Sequence, residues 1–550
     1  MGLGRRACAR VALAIVLSVL VPGPALARNS VTLEHLAVLA PRSATLSLSS
    51  TGRYLALSVS GELVIIDTRT GISIENLGQG ALPVWSRSGE RLAFYSVRSG
   101  TLQLWCWNCS SAALTQLTHF PNGIDVEPTT RVGGWVHDAF RFSWSASDDA
   151  LVFASRVEFA DEAPAARANA PPAERSPIVL TERSSSRDVF RGVFLNPSAA
   201  DGVAESRDGA SYTFRPAPAG ATLYSQLFLV SLRDGSIRQL TADRRSYFHP
   251  MWAPQGRYIA AAVVNTPGVT GETRSGDIVI IDADTSEQHV LASGAGVKYQ
   301  PKWDPAATTV AYLERDTALS RPRILTQRVF PQNSAPARVC IPDRHVFDFI
   351  WSPDGEALLV SYKDGASMRL GRAAADRDHF DVISRQNAYP IEVTSFAIDP
   401  KGTLAWFQYD PRDFATVRLA TQSHPASSRI LKRLNPEHRN LNVGEVRSLT
   451  WKGADGRERT GTVLLPPDFD EDRVYPLIVD AYPLRSGADW THPLSGNFAW
   501  ASLGYVVLRP SGRAPHVWTN PWTDVESSAS GNGPDGWAVA FDDVRRRPAG

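Results

Sequence analysis

Acyl transfer by an activated serine needs a hydroxyl on a strained strand-to-helix turn, written in sequence as G-x-S-x-G. The chain holds no such pentapeptide. Gly71-Ile-Ser73, Gly209-Ala-Ser211 and Gly365-Ala-Ser367 lack the second glycine, and Arg509-Pro-Ser511-Gly512 lacks the first. Thiol chemistry is equally sparse. Cys8 lies in a leader-like segment, and Cys106, Cys109 and Cys340 remain. Cys106-Trp-Asn-Cys109 is a lone C-x-x-C without a second pair, so it reads as a pair near a hairpin tip, its redox state open in an exported protein, and not as a zinc site. The eleven histidines are scattered, with no H-E-x-x-H spacing and no glycine-rich phosphate loop. The expectation is therefore no metal and no cofactor.

The elements that would have to position any chemistry announce themselves by repetition. Seven segments share one pattern, opening at Leu48, Trp85, Trp144, Trp252, Trp303, Trp351 and Ile398. Five of them place glycine four residues after the opener: Gly52, Gly89, Gly256, Gly355 and Gly402. An apolar pair two apart follows, as in Leu55/Leu57, Leu92/Phe94 and Leu358/Val360. This is strand, tight turn, strand: Ser-Pro-Asp-Gly chemistry makes the turn, and alternation sets one face of the next strand. Second hairpins such as Gln226–Leu232 turning at Asp234-Gly235 complete a four-stranded unit. Most openers lie about 40–60 residues apart, the length of one propeller blade. The long interval from Trp144 to Trp252 contains a Pro/Ala/Glu/Arg-rich stretch, Ala160 to Ser176, read as a flexible insertion within a blade. The pattern predicts an all-β propeller over residues 28–440, of seven blades, with an eighth left open. The opener tryptophans read as packing between blades, not as a ligand box.

Composition narrows the class. With 57 Lys+Arg against 56 Asp+Glu the net charge is +1, which argues against a nucleic-acid binder. Apolar residues are 43% of the 550, enough for a sizeable core. Arg5, Arg6 and Arg10 precede the apolar run Val11–Val21, then Pro22 and Ala25-Leu26-Ala27. That is a secretory signal peptide over residues 1–27, so the mature protein is expected to be exported, periplasmic or secreted, with no membrane attachment after cleavage.

After about Asn435 the pattern changes. Val446–Trp451 and Thr462–Leu465 read as a hairpin, Tyr475–Tyr482 as a strand buried on both faces, Asn497–Leu503 as a short helix ended by Gly504, and Tyr505–Arg509 as another buried strand. A propeller followed by Gly461–Leu465, Pro467, Phe469, Tyr475-Pro476, Tyr482, Phe498 and Gly504-Tyr505-Val506-Val507 resembles the prolyl oligopeptidase family of serine peptidases, and the W-S-P-D-G turn at Trp351–Gly355 resembles TolB-like and dipeptidyl-peptidase-like propellers.

The resemblance implies an α/β-hydrolase region over residues 441–550, a peptide substrate or ligand, and Ser, Asp and His in that chain order. It implies a role for Tyr482 as an oxyanion donor, although the family's Tyr-Gly-Gly-Pro turn is Tyr482-Pro-Leu-Arg here. Glu158, Asp161 and Glu162 could mimic the paired acids that some dipeptidyl peptidases hold to a substrate amine, but they read as a solvated loop edge. Phe541-Asp542-Asp543-Val544 resembles the helix leading to the elbow strand, which makes Asp542 and Asp543 helix N-terminal residues and not the triad acid. No nucleophile, acid or base is identified, so the expectation is a C-terminally truncated family member, inactive alone. The alternatives are a non-catalytic propeller binding protein of the periplasm and a fragment of an active lasso-peptide isopeptidase-like enzyme. Oligomeric state is not legible.

Overall fold

The computed structural model describes residues 44–126, 142–160, 221–479 and 497–511 apart from Ser60 and short gaps, together with strands Val203–Glu205 and Ser211–Thr213. The signal-peptide segment, Cys340, the Ala160–Ser176 stretch beyond its first residue, and Asp542 and Asp543 lie outside the described residues.

The turns explain the architecture. All five turn glycines named above have positive φ, between 71° and 82°. The two units without glycine adopt the same backbone at Asp148 (φ 59°) and Ala307 (φ 57°). The repeat therefore fixes a left-handed turn residue in every unit, whether or not the residue type favours it.

Each turn joins a first strand to a second, and third and fourth strands follow, giving seven four-stranded antiparallel units at residues 44–79, 81–116, 143–239, 246–292, 296–338, 346–382 and 392–433. A short parallel contact at Ser275–Gly296 and Gly276–Val297 joins the fourth and fifth into one ladder. In the third unit, Ala150–Ala160 pairs along its whole length with Ala221–Ser231, so the long insertion leaves the unit between its second and third strands. A small hairpin, Val203–Glu205 with Ser211–Thr213, lies within that insertion.

The cores sit between units, not within them. Ala56, Leu63 and Ile65 of the first unit pack on Trp85, Leu92 and Phe94 of the second. Similar clusters join the second to the third, the third to the fourth, the fourth through the sixth, and the sixth to the seventh. Leu46, Leu48 and Leu57 then pack on Phe407, Val417 and Leu419, so the seventh unit meets the first and the order closes. First strands touch their neighbours: Ala44–Leu48 contacts both Ala81–Trp85 and Glu392–Ile398, and Ser246–Trp252 contacts Gly296–Trp303. The arrangement is propeller-like, with first strands innermost. Each fully buried Leu or Ile in these seams contributes about 1.5–3 kcal/mol.

The opener tryptophans add a directional bond to that packing. Trp85 Nε1 donates to the Ser47 carbonyl at 3.1 Å, Trp144 to Val84 at 3.0 Å, Trp303 to Met251 at 3.0 Å and Trp351 to Lys302 at 2.9 Å. In each case the acceptor is the residue just before the opener of the preceding unit. The packing role read from the sequence holds, with a polar latch added.

Beyond the ring, Val446–Lys452 pairs with Glu458–Leu464 as the expected hairpin. Val506–Ser511 pairs antiparallel to Glu458–Leu464 and parallel to Leu477–Val479. The expected helix is Asn497–Ser502, and it buries Phe498 and Ala501 against Val446, Leu464 and Val507. It ends as predicted at Gly504 (φ 92°), where Tyr505 N–H bonds Trp500 O and Gly504 N–H bonds Ala501 O, a Schellman closure. One expectation fails. The described strand in 475–482 is only Leu477–Val479, and it is half-buried, because within the described residues it pairs on one side alone. With one six-residue helix, the described molecule is nearly all β.

Candidate functional site

Strands Leu477–Val479 and Val506–Ser511 run parallel, so both deliver chain to the same edge of their sheet. In open α/β sheets the chemistry collects at the carboxyl ends of such strands. Tyr482 follows Leu477–Val479 by three residues and lies outside the described residues. Ser511 is still within the ladder, opposite Thr460, and so is not on a strand-to-helix turn. The other serines of near-miss motifs fall in the ring and its insertion: Ser73 opens an outer strand, Ser211 opens the second strand of the small hairpin, and Ser367 is buried opposite Asp364.

Among the described residues, histidine partners do not assemble around them. His379 Nε2 meets Asp381 at 2.9 Å on an exposed outer strand of the sixth unit. His424 Nδ1 meets Ser423 Oγ at 3.0 Å on an exposed turn of the seventh. These are half-arrangements in different sheets. Glu158 is an exposed residue of Ala150–Ala160, and Asp161 and Glu162 lie outside the described residues. Among the described residues, no group of three or more His, Cys, Asp or Glu is placed to hold a metal.

The structure answers the cysteine question that the sequence leaves open. Cys106 and Cys109 are both free thiols. Cys106 packs into the seam between the second and third units, whereas Cys109 packs into the seam between the first and second. Strand alternation sends the two side chains to opposite faces. Burial, only partly offset by Arg91, pushes the Cys106 thiol up to about 11.

The sequence reading missed a set of bulged residues on the innermost strands. Leu82, His249 and Gln300 each stand three residues before an opener and immediately before Pro83, Pro250 and Pro301. All three have positive φ, 51°, 52° and 52°, and the ladder register slips at each. Such bulges re-aim side chains that strict alternation would send elsewhere. The legible signal was the proline two before the opener.

After the bulge, Lys302 Nζ reaches Asp348 at 2.5 Å in the next unit, and also the Phe349 carbonyl at 2.5 Å. Nearby, Lys298 pairs with Glu314 at 3.3 Å, and Arg323 bridges Glu314 (2.7 Å) and Asp316 (2.6 Å). Arg315 Nε donates to the Tyr299 hydroxyl at 3.1 Å, and burial holds that phenol's pKa above its ordinary value. These charges are paired with one another, so they set the register of the fifth and sixth units and do not supply free acids or bases.

No family model matches the chain. It is 22% identical over 333 residues to dipeptidyl-peptidase 5 of Porphyromonas gingivalis, an alignment covering 54% of this chain and 44% of that protein. The acylaminoacyl peptidase of Pyrococcus horikoshii superimposes with a TM-score of 0.55 at 14% identity, covering 85% of this chain and 65% of that one. A prolyl endopeptidase superimposes with a TM-score of 0.56 at 11% identity, covering 94% of this chain and 68% of that one. The chain thus spans less than half the length of this curated relative. The resemblance to prolyl oligopeptidase-type peptidases, read first from motifs, holds in sequence and in fold.

Proposed function

We propose that the chain is an exported member of the prolyl oligopeptidase lineage, in which a seven-bladed propeller over 28–440 restricts access to an α/β-hydrolase region over 441–550. The lineage acts on peptides, so peptide is the proposed substrate or ligand class. The sequence similarity to dipeptidyl-peptidase 5 carries the reading. Support comes from the shift beyond the ring to a mixed sheet with a strand–helix–strand crossover between Leu477–Val479 and Val506–Ser511. Tyr482, just past the first of those strands, is the proposed oxyanion donor.

Without G-x-S-x-G, the 550-residue polypeptide is proposed not to hydrolyse peptides by the triad mechanism. Treating the purified chain with a fluorophosphonate probe tests this. No serine should label above the heat-denatured control, and stoichiometric labelling of one serine would defeat it. A second reading, a peptide-binding propeller without catalysis, is favoured by the closed order of the seven units. Saturable binding of peptides to the unlabelled chain would support that reading.

A further inference from the structure

Three observations converge on the seam between the third and fourth units. First, the indole latch is absent there. Trp252 should donate to the carbonyl of Ser143, the residue before opener Trp144, but its Nε1 turns back to its own Gly256 carbonyl at 3.3 Å. The contact with Ser143 is made instead by the Trp252 backbone N–H, to the serine hydroxyl at 3.0 Å. Second, the turn-to-turn contact is absent. A Cβ at Gly52 would come within 2.1 Å of Asp399 in the preceding unit, one at Gly89 within 2.6 Å of Ser50, and one at Gly355 within 3.5 Å of Pro305. A Cβ at Gly256 would meet nothing within 4 Å. Third, a cavity of about 360 Å³ opens at this seam. That is toward the lower end of small-molecule sites, which run roughly 300–1,000 Å³.

The lining selects a ligand class. Ser145, Ser147, Ser231 and Ser236 bring four hydroxyl oxygens. Ser145 and Ser147 already donate to Asp149, and Ser236 to Asp234, so these three face a ligand as acceptors for its hydroxyl protons. The charges come as two of each sign: Arg238 and Arg257 against Asp149 and Asp284. Arg257 is already paired with Asp282 at 2.7 Å, Asp149 takes Arg233, and Arg238 donates to the Ala283 carbonyl and the Ser286 hydroxyl. An ion entering the cavity meets a like charge beside every counter-charge, and those counter-charges are engaged. A neutral ligand carrying many hydroxyls meets serine oxygens, carboxylate acceptors and an indole wall without that penalty.

We propose that this seam is a binding site for a neutral saccharide of one or two rings. The site stands apart from the proposed hydrolase region and does not depend on any peptidase activity of the chain.

Saturation-transfer NMR and calorimetry on the full chain test it, with glucose, N-acetylglucosamine, maltose and cellobiose as probes and inorganic phosphate as the ionic comparison. At least one sugar should bind saturably, and phosphate should not compete. Ser147→Trp and Ser236→Trp, both at exposed turn positions of the third unit that line the cavity, should each weaken that binding at least about tenfold while the melting temperature stays put. Two substitutions guard against one that misfolds. The proposal fails if none of the four sugars binds saturably, if phosphate binds in their place, or if a folded tryptophan variant binds sugar as well as the parent does.

Discussion

Trp351 shows how one polar atom can organise a seam that looks purely apolar in sequence. Its indole N–H lies 2.9 Å from the Lys302 carbonyl, so Trp351→Phe leaves that buried acceptor with one bond fewer. The expected cost is about 1–2 kcal/mol in urea unfolding. Trp252→Phe should cost less, because that indole is satisfied within its own turn; equal costs would show that the latch contributes nothing. Ala307 and Asp148 occupy the same left-handed turn position for opposite reasons. Ala307 has nothing to recommend φ 57° except the repeat, so Ala307→Gly should stabilise by roughly 0.5–1 kcal/mol. Asp148→Gly should destabilise, because the carboxylate accepts the backbone N–H groups of Arg87 (2.7 Å) and Ser88 (2.8 Å) in the neighbouring unit. Cys106 carries a pH signature. Its thiol has an ordinary value of 9.0 and is pushed up to about 11 when folded, so the fold favours the neutral form. That contribution to stability is complete below pH 9 and is lost as pH rises toward 11. Iodoacetamide at pH 8 should therefore alkylate Cys106 in urea and spare it in the folded chain, and rapid alkylation without denaturant would contradict the burial.

At the scale of strands and turns, openers and turn glycines were legible because both obey short fixed spacings. Trp85, Gly89 and Leu92 say strand, turn, strand with no knowledge of the rest. The hairpin beyond the ring and the Gly504 helix stop were legible for the same reason. The pairing of Lys302 with Asp348 was not. A bulge at Gln300-Pro301 breaks the period of two, and the partner sits in another unit, so no local pattern connects them. Whether the two cysteines bond was not legible, because the C-x-x-C spacing is compatible with a bond that strand alternation here forbids. The Lys302 pair can be tested as an element-scale device. Lys302→Met should cost about 3 kcal/mol by leaving Asp348 uncompensated, and adding Asp348→Leu should recover most of it. A double variant as unstable as the single one would mean that the pair is not the source of the loss.

For the whole molecule, every seam buries side chains between units, with one short backbone ladder added between the fourth and fifth, and every unit is built from its own continuous stretch of chain. Within the described residues, no strand from the start of the ring is laced into its last sheet. The Arg429 guanidinium reaches the Thr68 carbonyl, and a Cβ at Gly71 would lie 2.6 Å from the Leu431 carbonyl, so the seventh unit sits hard against the first. The closing junction is thus a side-chain seam, as are the others apart from the laddered one between the fourth and fifth units. The backbone order around the circle carries no privileged break. A rearranged gene that links the exit of the 392–433 sheet to the entry of the 44–79 sheet, and starts instead at Ala81, should yield a chain that still folds and melts cooperatively. If it collapsed into aggregate, the native ends would have to be holding the circle together in a way that side-chain packing does not.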